Sequence, residues 1–106
     1  MTCITNIILT TAIHDGAWMN SDYGSVDTLN DYLYTHYQGS RLQCVDAHSG
    51  GNKSLSCNVF IAAIDYLNVD EFIALFYQVA WDKPEQAQLM IKTDDQPSFT
   101  LYQAKT

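Results

Sequence analysis

Apolar residues recur at two different spacings along this chain, and these spacings predict two helices among five strands. Residues 3–13 are rich in Ile and Thr and carry apolar side chains on both faces, which predicts a strand in the interior of a sheet. The same two-sided alternation occurs in residues 54–66. Shorter strands are predicted at 41–48, 86–93 and 98–103, with turns at residues 49–52 and 94–97.

The first helical pattern predicts a helix from Val26 to about Gln38. Ser25 has the side chain of an N-cap, and Gly39 is suited to end the helix. The polar segment 14–24, which contains two glycines, is predicted to be a loop. The apolar stripe of the helix consists of Val26, Leu29, Leu33 and Tyr37.

The second helical pattern follows Asn68 and carries a wide apolar face. The spacing of Asn68 and Glu71 matches a capping box, which predicts where the helix begins. Pro84 is predicted to stop it, because proline lacks the N–H that a helix interior requires.

The order of these elements is strand, helix, strand, strand, helix, strand, with one strand added at the end. This order predicts an α+β fold of the ferredoxin-like type, in a single domain covering residues 1–106. Both helices are expected on one face of an antiparallel sheet, with the first and third strands as its central pair. The other face would then expose apolar side chains, which predicts that a second copy or a partner covers it.

The charge balance narrows the choice of partner. Twelve acidic residues oppose five scattered lysines and arginines, for a net charge of -7. A nucleic-acid or anionic membrane surface needs clustered cations, so neither is expected to bind. An acidic chain instead favours a protein partner with a basic surface. The competing interpretation is that the negative charge only keeps a small protein soluble.

Cysteine usage and hydropathy indicate the compartment. The three cysteines form no CxxC pair, and their odd number argues against a closed disulfide framework. Cys44 and Cys57 fall on predicted neighbouring strands, so a bridge between them is one interpretation. The favoured one is that the cysteines are small buried side chains in a reducing compartment. The N-terminal pattern is not that of a signal peptide, and no apolar run exceeds six residues. A cytoplasmic location is predicted.

One set of candidate binding residues lies on and before the first predicted helix. Asp27, Asp31 and Tyr34 fall on the stripe opposite to the apolar one, and Asp22 precedes them. Carboxylates with an exposed aromatic ring suit a basic protein surface. The competing interpretation is a solvated helix face with one incidental aromatic residue.

A second candidate set combines imidazoles with carboxylates. His14, Asp15, Asp46 and His48 follow two strands that are expected to end at the same rim of the sheet. They could bind a divalent metal ion or act as general acid and base. Their spacing matches no recognised metal motif, and the alternative is a set of solvated turn residues.

Three functional hypotheses follow from these observations. The first is a small acidic protein-interaction module that inhibits a basic or nucleic-acid-handling protein by charge mimicry. Its size and charge are similar to those of phage defence inhibitors and toxin-immunity proteins, although it shares no motif with them. The second is a ligand-binding or metal-binding protein, or an enzyme, that uses the His/Asp set. The third is a structural homodimer subunit. No nucleophile motif or cofactor fingerprint is present, so no cofactor is predicted.

Overall fold

The computed structural model describes residues 4–12, 21–45, 48–53, 55–81 and 83–105. The described residues form five strands and two α-helices. In chain order these are β1 (Ile4–Ala12), α1 (Ser21–His36), β2 (Gln43–Cys44), β3 (Cys57–Asp65), α2 (Val69–Gln78), β4 (Gln88–Thr93) and β5 (Thr100–Gln103). A 3₁₀ turn, Pro84–Gln86, precedes β4.

The strands form one antiparallel sheet in the order β2-β3-β1-β4-β5. Both strands with two-sided apolar patterns, β1 and β3, have a neighbour on each side. The prediction of an α+β chain with two helices and a five-stranded antiparallel sheet is therefore confirmed.

The core lies on one face of the sheet. Ile7 and Leu9 of β1 are almost completely buried, and Leu9 lies opposite Phe60 of β3 and Leu89 of β4. Because side chains alternate along a strand, these residues share a face. The same core cluster includes the buried helix residues Val26, Leu29, Leu33, Phe72 and Phe76.

The opposite face of the sheet carries a second, more exposed apolar row. Ile8 of β1 lies opposite Ile61 and Met90, and Met90 lies opposite Leu101 of β5. Ile61 is 43% exposed and Leu101 is 56% exposed. We call these four residues the apolar row; it crosses four of the five strands.

The prediction for the start of α1 is wrong. The helix begins at Ser21, so residues 21–24 are not loop, and Ser25 is a helical residue rather than an N-cap. The Ser25 side chain is buried, and its hydroxyl donates a hydrogen bond of 2.7 Å to the carbonyl of Ala80. The Ser25 hydroxyl, which the sequence pattern assigned to an N-cap, is therefore bonded instead to the backbone of Ala80, a residue distant in sequence.

The prediction for the start of α2 is confirmed, whereas the one for its end is wrong. The Glu71 N–H donates to the Asn68 side chain at 3.1 Å, as an N-cap requires. The helix ends at Gln78, well before Pro84. Trp81 folds back at this end, and its indole N–H donates to the carbonyl of Phe76 at 2.9 Å.

The second strand is much shorter than the predicted 41–48. The Leu42 N–H donates to the Asn30 side chain at 2.7 Å, so it is not available to the sheet. Beyond β2 the His48 N–H donates to the Val45 carbonyl at 2.9 Å. Cys44 is exposed, so the expectation of a buried side chain is wrong there, and both Cys44 and Cys57 are free thiols.

Candidate functional site

Three of the predicted partner-binding residues share the solvent-facing side of α1. Asp27, Asp31 and Tyr34 are spaced by four and three residues, which places them on one face of a helix. All three are exposed, Tyr34 by 68%. We call them the acidic surface. Together with Asn30 and Arg41 they line a shallow depression of about 220 Å³.

The segment that follows α1 is held against this surface by local hydrogen bonds. Gly39 has a φ of +78°, which favours glycine, and its N–H donates to the Tyr34 carbonyl at 3.1 Å. Leu42, which directly follows Arg41, is buried, and its backbone N–H donates a hydrogen bond to the Asn30 side chain. These contacts bring Arg41 beside the acidic surface.

The carboxylates of the acidic surface are not neutralised by neighbours in the described part of the chain. Arg41 lines the same depression, yet no ion pair joins it to Asp27 or Asp31 within 4.0 Å. Both carboxylates can therefore accept hydrogen bonds from a lysine or arginine of another molecule.

The remaining predicted site residues are mostly not described. The backbone of Asp22 belongs to α1, but its side chain lies outside the described residues. His14, Asp15 and Asp46 lie wholly outside the described residues. His48 is described and is exposed. Within the described ranges no three His, Cys, Asp or Glu side chains form a group that could hold a metal ion. The metal site stays a prediction.

Sequence reasoning missed a larger concavity between the end of α1 and the end of β3. It has a volume of about 500 Å³ and is lined by residues 36–38, Ser40 and residues 63–66. We call it the α1–β3 concavity. Gln38 and Tyr66 have φ angles of +56° and +58°, a region that glycine and asparagine enter more readily. No glycine or asparagine at either position signals these turns in the sequence.

A hydrogen-bonded group of side chains supports one wall of this concavity. The Tyr32 hydroxyl donates to the Glu71 carboxylate at 2.5 Å, and the Asn68 N–H donates to the Tyr37 hydroxyl at 2.9 Å. Tyr37 thus takes the donor that Glu71 would bind in a complete capping box. Burial, followed by the hydrogen bond to Glu71, raises the pKa of Tyr32.

Comparison with known proteins gives no relative from which a role can be transferred. No family model, no curated protein and no solved structure matches the chain. Among the described residues, neither helix has both the length and the apolar character needed to cross a membrane.

Proposed function

We propose that this chain is a small acidic protein-interaction module that docks on a basic surface of another protein. The observation that carries the proposal is the acidic surface, where Asp27, Asp31 and Tyr34 are exposed together on α1. The two carboxylates supply charge, and the Tyr34 ring supplies apolar contact area with few rotatable bonds.

The proposed partner is a basic cytoplasmic protein, of the kind that handles nucleic acids. Carboxylates spaced along a helix can occupy sites where such a protein binds phosphates, so docking would block those sites. The net charge of -7 supports this hypothesis, because opposite fields speed the encounter of two proteins. The chain would then act as an inhibitor by charge mimicry, and nucleic acid itself would not bind it.

We also propose that the fold is of the ferredoxin-like type, with both helices over one face of the sheet. Support comes from the strand order β2-β3-β1-β4-β5 and from the core cluster that the helices share with β1, β3 and β4. In this arrangement β5 is an addition beyond β4.

A second copy of the chain is the proposed occupant of the apolar row. The row itself contains no charged residue, although each chain carries a net charge of -7. Two copies that meet there bury apolar area while their acidic surfaces on α1 remain free. The proposed homodimer is thus compatible with docking on a basic partner.

Affinity capture from a cytosolic lysate, washed at low and high salt, tests the docking proposal. The immobilised chain is compared with the double variant Asp27→Asn/Asp31→Asn and with the control Glu85→Gln/Asp94→Asn. The control removes two exposed carboxylates outside α1, so both variants have the same net charge. We expect a basic protein that is retained by the wild type and the control and lost by the α1 variant.

Equal retention by all three proteins would contradict the proposal, because it would show that overall charge is sufficient. An absence of any retained basic protein at low salt would contradict it as well.

A further inference from the structure

The α1–β3 concavity has the chemistry of a site for a planar cation. The residues that line it include Asp65, Tyr37, Tyr66 and His36. No lysine or arginine is among the described residues that line it. Asp65 is exposed, and it makes no ion pair with any other described residue.

The position of the concavity at the end of α1 adds to its negative character. Residues 36–38 lie at the C-terminal end of a 16-residue helix, where the helix dipole gives a partial negative charge. A cation near this end is favoured, whereas an anion is not. The aromatic faces of tyrosines also attract cations.

Each wall of the concavity contains a non-glycine residue in the left-handed region of φ. Gln38 follows α1, and Tyr66 follows β3. For a bulky residue such as tyrosine this conformation is an outlier, and such outliers cluster at ligand-binding sites. Tyr66 lines the concavity and follows Asp65 in the chain.

We propose that the α1–β3 concavity binds a guanidinium group, with Asp65 as its ion-pair partner and Tyr37 and Tyr66 as aromatic contacts. A guanidinium is planar, pairs with a carboxylate through two parallel hydrogen bonds and stacks on aromatic rings. An alkylammonium is a strongly hydrated point charge without a planar face, so we expect it to bind this site with lower affinity. A volume of about 500 Å³ also leaves room for an attached aliphatic stem.

This proposal is independent of the docking proposal. The acidic surface uses Asp27 and Asp31, whereas the concavity uses Asp65 on β3. Different substitutions therefore test the two sites, and loss of one leaves the other in place.

Titration with blocked amino acids, followed by backbone amide NMR shifts, tests the guanidinium site. The probes are N-acetyl-arginine amide, the lysine analogue, and N-acetyl-citrulline amide, which has the shape of arginine without its charge. We expect saturable shifts at residues 36–40 and 63–66 with arginine. Affinity for citrulline should be lower by about tenfold or more, as expected when hydrogen bonds to a charged group lose the charge.

Two variants and one control connect the shifts to the proposed contacts. Asp65→Asn removes the carboxylate at nearly constant shape, and it should reduce arginine affinity by about tenfold. Tyr66→Gly removes the ring and relieves the left-handed strain of the backbone, so it should weaken arginine binding. Asp70→Asn removes an exposed carboxylate elsewhere and should leave the affinity unchanged.

Free arginine identifies the source of the group. Tighter binding of free arginine than of the blocked form would assign the site to a small molecule, and the reverse order would assign it to an arginine of a protein partner. Equal shifts with arginine and citrulline, absent shifts with all probes, or full binding by Asp65→Asn would overturn the proposal.

Discussion

Among single residues, the described part of the chain holds one buried side-chain polar atom that lacks a partner, the hydroxyl of Thr5. The side chain is 1% exposed and lies on the core face of β1. A buried hydroxyl without a hydrogen bond loses its hydration and gains nothing in exchange. Its presence costs stability that a shape-matched apolar residue would restore.

Thr5→Val is therefore predicted to stabilise the chain by about 1 kcal/mol, because valine keeps the branched shape and removes the hydroxyl. Urea unfolding measures the change in the free energy of unfolding. Thr10→Val is the control, since Thr10 is on the same strand but only half-buried; it should change stability by less than about 0.5 kcal/mol. A loss of stability in Thr5→Val would show that the hydroxyl is satisfied.

Tyr32 provides a second prediction at this scale. Tyr32→Phe removes its hydrogen bond to Glu71 and should lower the free energy of unfolding by about 1 kcal/mol at pH 7. The pKa of Tyr32 in the folded chain is raised above the ordinary 10.0. As the pH rises past 10, the Tyr32 hydroxyl is deprotonated in the unfolded chain before it is deprotonated in the folded one. Deprotonation therefore favours the unfolded chain, and the stability that Tyr32 supplies is lost.

The stabilities of wild type and Tyr32→Phe should therefore converge above about pH 10. Urea unfolding of both proteins between neutral and alkaline pH measures this. A constant difference across that range would contradict the raised pKa. Tyr34→Phe, which removes an exposed hydroxyl, controls for the loss of a tyrosine.

For helices and strands, the sequence predicts a boundary when the deciding contact is local. Asn68 and the N–H it caps are three residues apart, and that boundary is confirmed. Ser25 binds a carbonyl 55 residues away, and Asn30 shortens β2 from across a loop. Neither contact can be recognised from a short stretch of sequence, so the predicted starts of α1 and β2 are wrong.

The same distinction explains which parts of the candidate sites could be foreseen. Asp27, Asp31 and Tyr34 lie on one helix, and helical spacing alone places them together. The α1–β3 concavity joins two elements that are distant in sequence, and its walls depend on left-handed turns at Gln38 and Tyr66. Neither residue type favours that conformation, so sequence patterns could not reveal it.

The strand face that carries the apolar row gives a prediction at this scale. Leu101→Ser on β5 should weaken the proposed homodimer, because it removes one of the more exposed side chains of the row. Sedimentation should show the wild type near twice 12.0 kDa and the variant nearer to 12.0 kDa. Thr100→Ser, on the same strand but the other face, should leave the dimer intact. A wild type that remains monomeric at all concentrations would contradict the proposal.

For the whole molecule, the net charge and its placement determine how the chain meets other proteins. Twelve acidic residues against five basic ones set up a negative field, and the acidic surface concentrates part of it beside an exposed tyrosine. Long-range attraction acts mainly on the rate of encounter and is screened by salt. Association kinetics are therefore more informative than affinity alone.

The most direct test is the association rate with the basic protein retained in the capture experiment. At low salt, Asp27→Asn/Asp31→Asn should associate roughly tenfold more slowly than the wild type, while the control Glu85→Gln/Asp94→Asn should be much less affected. At about 1 M salt, where the Debye length is about 3 Å, the difference should vanish. An unchanged association rate at low salt would contradict docking through the acidic surface.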